Sequence, residues 1–212
     1  MKNREARKII NSVLRQLIAE KGFRFKSGID GGFFRSIPRG RQLIGVPFYD
    51  YGATFSFSLV FAIRLDAVEE ITNKFNAAPP KYHLLTETAI FQLNRFMPGE
   101  ETKFAIVTED DIKEAFTTLT PVVRERIIPF LDQTQDIRTV AKAMNLTHVP
   151  KAVPGANKSA IAMAWLTEHP DFEIIASTYQ QRISQFPKNF QEELKNFIQY
   201  LRENVRPQSI IT

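Results

Sequence analysis

The chain has 212 residues, 43% of them hydrophobic and 24% charged, with no cysteine and a net charge of +5. That length is ample for one hydrophobic core, and the missing cysteines exclude disulfides, thiolate nucleophiles, Fe–S ligation and Cys-containing zinc sites. The charge is uneven: residues 1–50 hold 11 Lys/Arg against 4 Asp/Glu, a net +7, and the remaining residues sum to −2. A basic front of this kind steers an acidic partner or nucleic acid, or simply keeps one face in water.

The first residues, MKNREARKII, lead into an amphipathic pattern and not into an apolar run with a small-residue cleavage site. The apolar run Leu59–Ile63 is far short of a membrane span, as is the longer Ala160–Leu166. The expectation is a soluble, cytoplasmic protein without a secretory signal or membrane contact. The glycosylation-like triplets at Asn145 and Asn157 are then chance matches.

Ile9, Ile10, Val13, Leu14, Leu17 and Ile18 recur at helical spacing and Gly22 follows as a stop, which predicts an amphipathic helix over residues 3–21. Arg4, Lys8, Asn11 and Arg15 fall on its opposite, basic stripe. The next stretch, KGFRFKSGIDGGFFRS, raises the question of a phosphate cradle. Such a cradle needs a helix N-terminus directly after its glycines, and the strand-like run Phe33 to Ile37 follows instead. Asp30-Gly31 is a favoured hairpin dipeptide, so the glycines reverse the chain.

Ile37-Pro38-Arg39-Gly40 and Tyr49-Asp50-Tyr51-Gly52 are two further reversals. TFSFSLVFAIRL predicts one strand from Thr54 to Leu65, with Phe55, Phe57, Leu59, Phe61, Ile63 and Leu65 on one face. Thr54, Ser56, Ser58, Val60, Ala62 and Arg64 take the other. These segments predict an antiparallel meander with the first helix on its phenylalanine face, and Pro47 marks an edge, a bulge or a strand end.

Residues 66–75 predict a short helix begun by Asp66 and ended by Ala77-Ala78-Pro79-Pro80, and Pro98-Gly99 before KFAIV predicts another hairpin. Thr108-Glu109-Asp110-Asp111 has the spacing that opens a helix. Beyond it apolar positions keep helical spacing, punctuated by Pro121, Pro129, Pro150, Pro154, Pro170 and Pro187. HVPKAVPGAN is the best linker candidate but is short. The expected fold is therefore α+β, a single domain over 1–212. Residues 1–107 supply the N-terminal helix packed on an antiparallel β-meander of four to six strands, and residues 108–212 form a helical C-terminal half.

No catalytic, cofactor or metal site is predicted. His83, His148 and His169 are scattered, and His83 with Glu87 lacks a third ligand. Glu109, Asp110, Asp111 and Glu114 are explained by helix capping. Gly155-Ala156-Asn157-Lys158-Ser159 fails as a phosphate loop because Asn157 stands where glycine must precede the lysine.

The opening helix ending in EKGFRFK, the hairpin to GGFFRS, the strands through FSFSLVFAIRL and the helical stretch IIPFLDQTQDIRTVAKAM together resemble a family of small bacterial α+β domains of unknown function. Some of these are encoded near polymorphic toxins and regarded as immunity-like. The likeness covers about residues 3–145 and extends to 155–185, and it implies a non-enzymatic protein-binding module whose partner is a protein, such as a toxin; the +7 front then argues for an acidic surface on that partner. Aromatic and arginine anchors would carry such binding, and the candidates are Tyr49, Tyr51, Arg35, Arg39 and Arg41. One alternative is nucleic-acid binding through Arg4, Lys8, Arg15, Arg24, Arg39 and Arg41. Another is a hydrolase or ligand-binding pocket between sheet and C-terminal helices, walled by Thr54, Ser56, Ser58 and Arg64.

Overall fold

The first periodic run folds as α1 (Asn3–Ile18) in the computed structural model, which describes residues 1–27, 31–52, 54–146 and 154–207. Ala6, Ile10, Leu14 and Ile18 form its buried stripe, and Arg4, Lys8 and Arg15 are exposed, as the spacing requires. A 3-10 turn at Ala19–Lys21 follows, and Gly22, at φ +82°, stops the helix.

Among the described residues eight strands follow: β1 (Arg24–Lys26), β2 (Gly32–Ile37), β3 (Gly40–Gly45), β4 (Phe48–Asp50), β5 (Phe55–Phe57), β6 (Val60–Leu65), β7 (Ala89–Gln92) and β8 (Phe104–Ile106). They form an antiparallel five-stranded sheet in the order β1-β2-β3-β6-β7 and a smaller sheet in the order β4-β5-β8. The hairpin across the glycine-rich stretch is present, with Arg24, Phe25 and Lys26 opposite Phe34, Phe33 and Gly32. Its Asp30 lies outside the described residues, as do the amides of Gly28 and Ile29.

Two expectations are corrected. Thr54–Leu65 is not one strand: it breaks at Ser58-Leu59, and the two pieces serve different sheets. The physical reason is that the whole run from Phe55 to Leu65 is buried on both faces apart from half-buried Val60, so its alternation marks no solvated side that would hold it in one sheet. The expected hairpin around Pro98-Gly99 is likewise absent. Gly99 does turn the chain at φ +79°, but β7 and β8 join different sheets.

The helices after the first are α2 (Asp66–Thr72), α3 (Glu109–Val122), α4 (Ile128–Gln133), α5 (Ile137–Met144), α6 (Pro154–Leu166), α7 (Phe172–Ile183) and α8 (Lys188–Asn204). The helical spacing expected through IKEAFTTLTPVVRERIIPFL is present, and Pro121 and Pro129 lie within it. Pro121 lies inside α3, and a π-helical turn, Val123–Ile127, connects α3 to α4, which contains Pro129. A proline ring displaces the carbonyl four residues back; for Pro129 this is Glu125, inside that wider turn. HVPKAVPGAN begins outside the described residues, but from Pro154 the backbone is already helical.

The chain gathers into two compact units, Met1–Ile37 with Arg41–Ala62 and Ile90–Gln133, and Pro38–Gly40 with Ile63–Ala89 and Thr134–Thr212. In the first, α1 packs against α3, and Phe57 meets Phe104 at 5.5 Å and stacks on Phe116 at 6.1 Å. In the second, α6 is the central helix. Residues Ala160 to Ala164 are wholly buried, with α2, α5, α7 and α8 packed around them.

Candidate partner-binding surface

The small sheet puts the two sequence-chosen tyrosines on one face. Phe48, Phe57 and Phe104 stand opposite one another, as do Tyr49, Ser56 and Ala105, and Asp50, Phe55 and Ile106. Alternation therefore sends the phenylalanine rows to the inner face, where Phe57 meets Phe116 of α3 and the Arg7 guanidinium of α1 lies 4.0 Å from the Phe48 ring. This is the expected packing of the first helix on phenylalanine, made on the smaller sheet.

The outer face carries Tyr49, Ser56 and Ala105, and, one step further along each strand, Tyr51, Thr54 and Val107. Tyr51 is 63% exposed and Val107 52% exposed, at the same end of the sheet. The Tyr51 N–H donates to the Thr54 carbonyl at 2.9 Å, and the Gly52 N–H donates to the Asp50 carboxylate at 2.9 Å. Gly52 sits at φ +82°, which the turn needs and a side chain would strain. Beside it, the Met1 amino group donates to the Val107 carbonyl at 2.9 Å.

Lys103 completes the face. It precedes Phe104 and so continues the register opposite Ser58, yet its ammonium lies 4.6 Å from the centre of the Tyr49 ring on the far strand. Neighbouring strands are about 4.8 Å apart, so this side chain crosses the whole of β5 to reach its ring. Ser56 and Ser58 lie on the same face and are both buried, while Ala105, Val107 and Lys103 are exposed. Ser58 still donates its backbone N–H to the Pro47 carbonyl at 3.1 Å. The Ser56 hydroxyl is 6% exposed as a residue and finds no hydrogen-bond partner among the described residues.

The arginines chosen with the tyrosines lie elsewhere. Arg35 on β2 is a clasp within its own unit, its guanidinium 4.7 Å from the Phe23 ring. It donates to the Gln42 side-chain oxygen, the Lys21 carbonyl and the Asp132 carboxylate at 2.7 Å. Gln42, wholly buried, passes the connection on to the Leu131 carbonyl at 2.5 Å. Arg41 on β3 lies 5.2 Å from the Phe34 ring, and Arg39 belongs to the second unit, exposed at φ +58°. The cation that meets the tyrosines is Lys103. It stands two residues from Ala105 in KFAIV, but its place beside Tyr49 follows only once β8 is known to pair with β5.

The residues expected to wall a pocket, Thr54, Ser56, Ser58 and Arg64, divide between the two units. The first three line the outer face of the small sheet. Arg64 belongs to the second unit and donates to the Asp66 carboxylate, the His83 carbonyl, and the Thr86 carbonyl and hydroxyl, all at 2.8–2.9 Å. A second buried polar group, not chosen from the sequence, surrounds Glu69 in that unit. Thr88 donates its hydroxyl to the Glu69 carboxylate at 2.9 Å, and neighbouring Lys158 donates to the Glu193 carboxylate and the Phe75 carbonyl. Among the described residues no three His, Asp or Glu side chains gather as a metal site requires. Comparison with protein-family models, curated proteins and solved structures gives no match to this chain.

Proposed function

We propose that the chain is a non-enzymatic protein-binding module, of the immunity-like kind that neutralises a toxin in a bacterial competition or defence locus. The observation that carries this reading is the outer face of the small sheet, where Tyr51 and Val107 stay exposed on a hydrogen-bonded hairpin beside the Tyr49–Lys103 pair. Tyrosine gives large, stiff contact area at small entropic cost. The other charged and buried polar groups just described are committed to interactions within their own units.

Co-expression with each product of the neighbouring genes, followed by purification of the complex, tests the reading. A stoichiometric complex that Tyr51→Ala weakens at least 10-fold while leaving thermal stability unchanged supports it. Turnover of a small substrate by the isolated chain, with no complex formed, would refute it.

The nucleic-acid alternative has a narrower basis. Of its six basic residues, Arg15 lies 5.4 Å from the Phe25 ring, Arg24 donates to the Ala19 and Phe23 carbonyls, and Arg39 and Arg41 are engaged within the protein. Arg4 and Lys8 remain. Two phosphate contacts predict a salt slope of about −2 at most, too shallow for a dedicated binder.

A further inference from the structure

We infer that the outer face of the small sheet receives an acidic side chain of the partner, seated between the Lys103 ammonium and the Ser56 hydroxyl. The inference rests on the protein-binding reading and adds the chemistry of the contact.

Two groups on this face can each donate to an arriving carboxylate, the Lys103 ammonium and the Ser56 hydroxyl. The Ser56 hydroxyl is buried without an acceptor, a state that costs free energy unless something completes it. Lys103 makes no ion pair among the described residues; its contact is the Tyr49 ring. Of the nearby carboxylates, Asp50 accepts from Gly52, Asp110 pairs with Lys113 at 2.7 Å and Asp111 accepts from Val107 and Thr108, while Glu100 and Glu101 stand exposed just before Lys103 in the sequence. A carboxylate arriving on this face meets a cation that holds no ion pair among the described residues.

The arch itself supplies the way in. The Lys103 ammonium swings on a stem of four methylenes, and a carboxylate that draws it over gains a second, charge-assisted hydrogen bond where it also reaches the Ser56 hydroxyl on the same face. Tyr51 and Val107 at the end of the sheet bury apolar surface around the ion pair and exclude water from it. The partner is therefore a protein segment that places Asp or Glu next to an aliphatic or aromatic residue.

Random linear peptides displayed on phage and selected against the full chain provide the test. The selected peptides are then titrated into isotope-labelled protein and its variants. The expected result is enrichment of Asp or Glu beside an apolar residue, with amide shifts concentrated at Tyr49, Tyr51, Ser56, Lys103 and Val107. Lys103→Gln should then cost about 10-fold or more in affinity, Lys103→Arg should restore most of it, and Ser56→Ala should cost several-fold. Removing an unpartnered hydroxyl leaves stability unchanged or raised, so the Ser56→Ala loss would not be a folding effect. Peptides that bind this face without acidic residues, and that Lys103→Gln leaves unaffected, would overturn the inference and leave the binding face standing. Failure to select any peptide that shifts this face would overturn both.

Discussion

Gly40 and Arg64 approach so closely that a Cβ on Gly40 would stand 2.0 Å from the Arg64 carbonyl oxygen and 3.1 Å from its carbonyl carbon. Both obstructing atoms are backbone, so no rotamer change makes room. Gly40→Ala is expected to cost about 3 kcal/mol, the upper end for inserting a methyl group into packed structure. Gly52→Ala is the contrast, because nothing lies within 4 Å of its Cβ and only the φ of +82° penalises it, by about 1 kcal/mol. Urea unfolding of the two variants checks the order, and equal losses would refute it.

The side chain of the same Arg64 fixes the segment after α2. Its 2.8–2.9 Å hydrogen bonds to His83 and Thr86 are joined by the Asn73 amide, which donates to the His83 carbonyl at 3.2 Å and the Thr86 hydroxyl at 3.1 Å. Arg64→Met removes four hydrogen bonds from part-buried acceptors, of which the His83 carbonyl and Thr86 hydroxyl keep the Asn73 amide, and should cost about 1–3 kcal/mol. Arg64→Lys should recover only part, since an ammonium lacks the planar fork that reaches Asp66 and the carbonyls together. Hydrogen exchange should show lost protection centred on residues 80–88 before global unfolding. Uniform loss over the whole chain would argue against a local clamp.

Local signals carried α1 and the opening of α3 into the sequence reading intact. Ile10, Leu14 and Ile18 repeat at the helical period, and Thr108 with Asp111 forms the capping box that their spacing suggests. The failures are those of segments whose fate is set at long range. Nothing in FSFSLVFAIRL marks the break at Ser58-Leu59, because the alternation is the same on both sides of it. Arg35 looked like a free anchor because Asp132 stands 97 positions away in sequence. At Ile37-Pro38-Arg39-Gly40 the reversal was legible, but the positive φ falls on Arg39, and Gly40 is required by the Arg64 carbonyl. The candidate surface was half legible: Tyr49 and Tyr51 were chosen, while Lys103 and Ser56 gained their roles from the pairing of β4, β5 and β8.

Arg39→Gly separates strain from function at that turn. A non-glycine residue at φ +58° carries a penalty of about 1 kcal/mol, which glycine removes at a similar entropic cost in the unfolded chain. Stability is therefore expected to stay within about 0.5 kcal/mol of the parent protein, measured by thermal unfolding. A loss above about 2 kcal/mol would mean that the Arg39 side chain holds the structure together, since the turn geometry alone cannot supply so much.

Glu69 tests the buried group in the second unit. It is 2% exposed and accepts the Thr88 hydroxyl at 2.9 Å, while the Thr88 oxygen accepts the Leu65 N–H at 2.9 Å. An amide oxygen can take the Thr88 proton equally well, so Glu69→Gln should change stability by no more than about 1 kcal/mol. Glu69→Ala removes the acceptor and leaves a hole, costing about 2–4 kcal/mol. Equal and large losses for both variants would show that the charge itself is required.

The start of α3 supplies the pH dependence. The Asp111 carboxylate accepts the Thr108 N–H at 2.7 Å and the Val107 N–H at 2.8 Å, and these two bonds, Thr108 first, hold its pKa below the ordinary 3.8. A carboxyl whose pKa is lowered on folding stabilises the fold above its unfolded value, and that contribution is lost as the pH falls through the lower, folded value. Asp111→Asn should therefore melt below the parent protein near neutral pH, with a gap that begins to close near pH 3.8 and disappears in stronger acid. Thermal unfolding of both proteins across the acid range checks this. A gap that stays constant through the acid limb would assign the capping contribution to shape and hydrogen bonding alone, with no part for the charge.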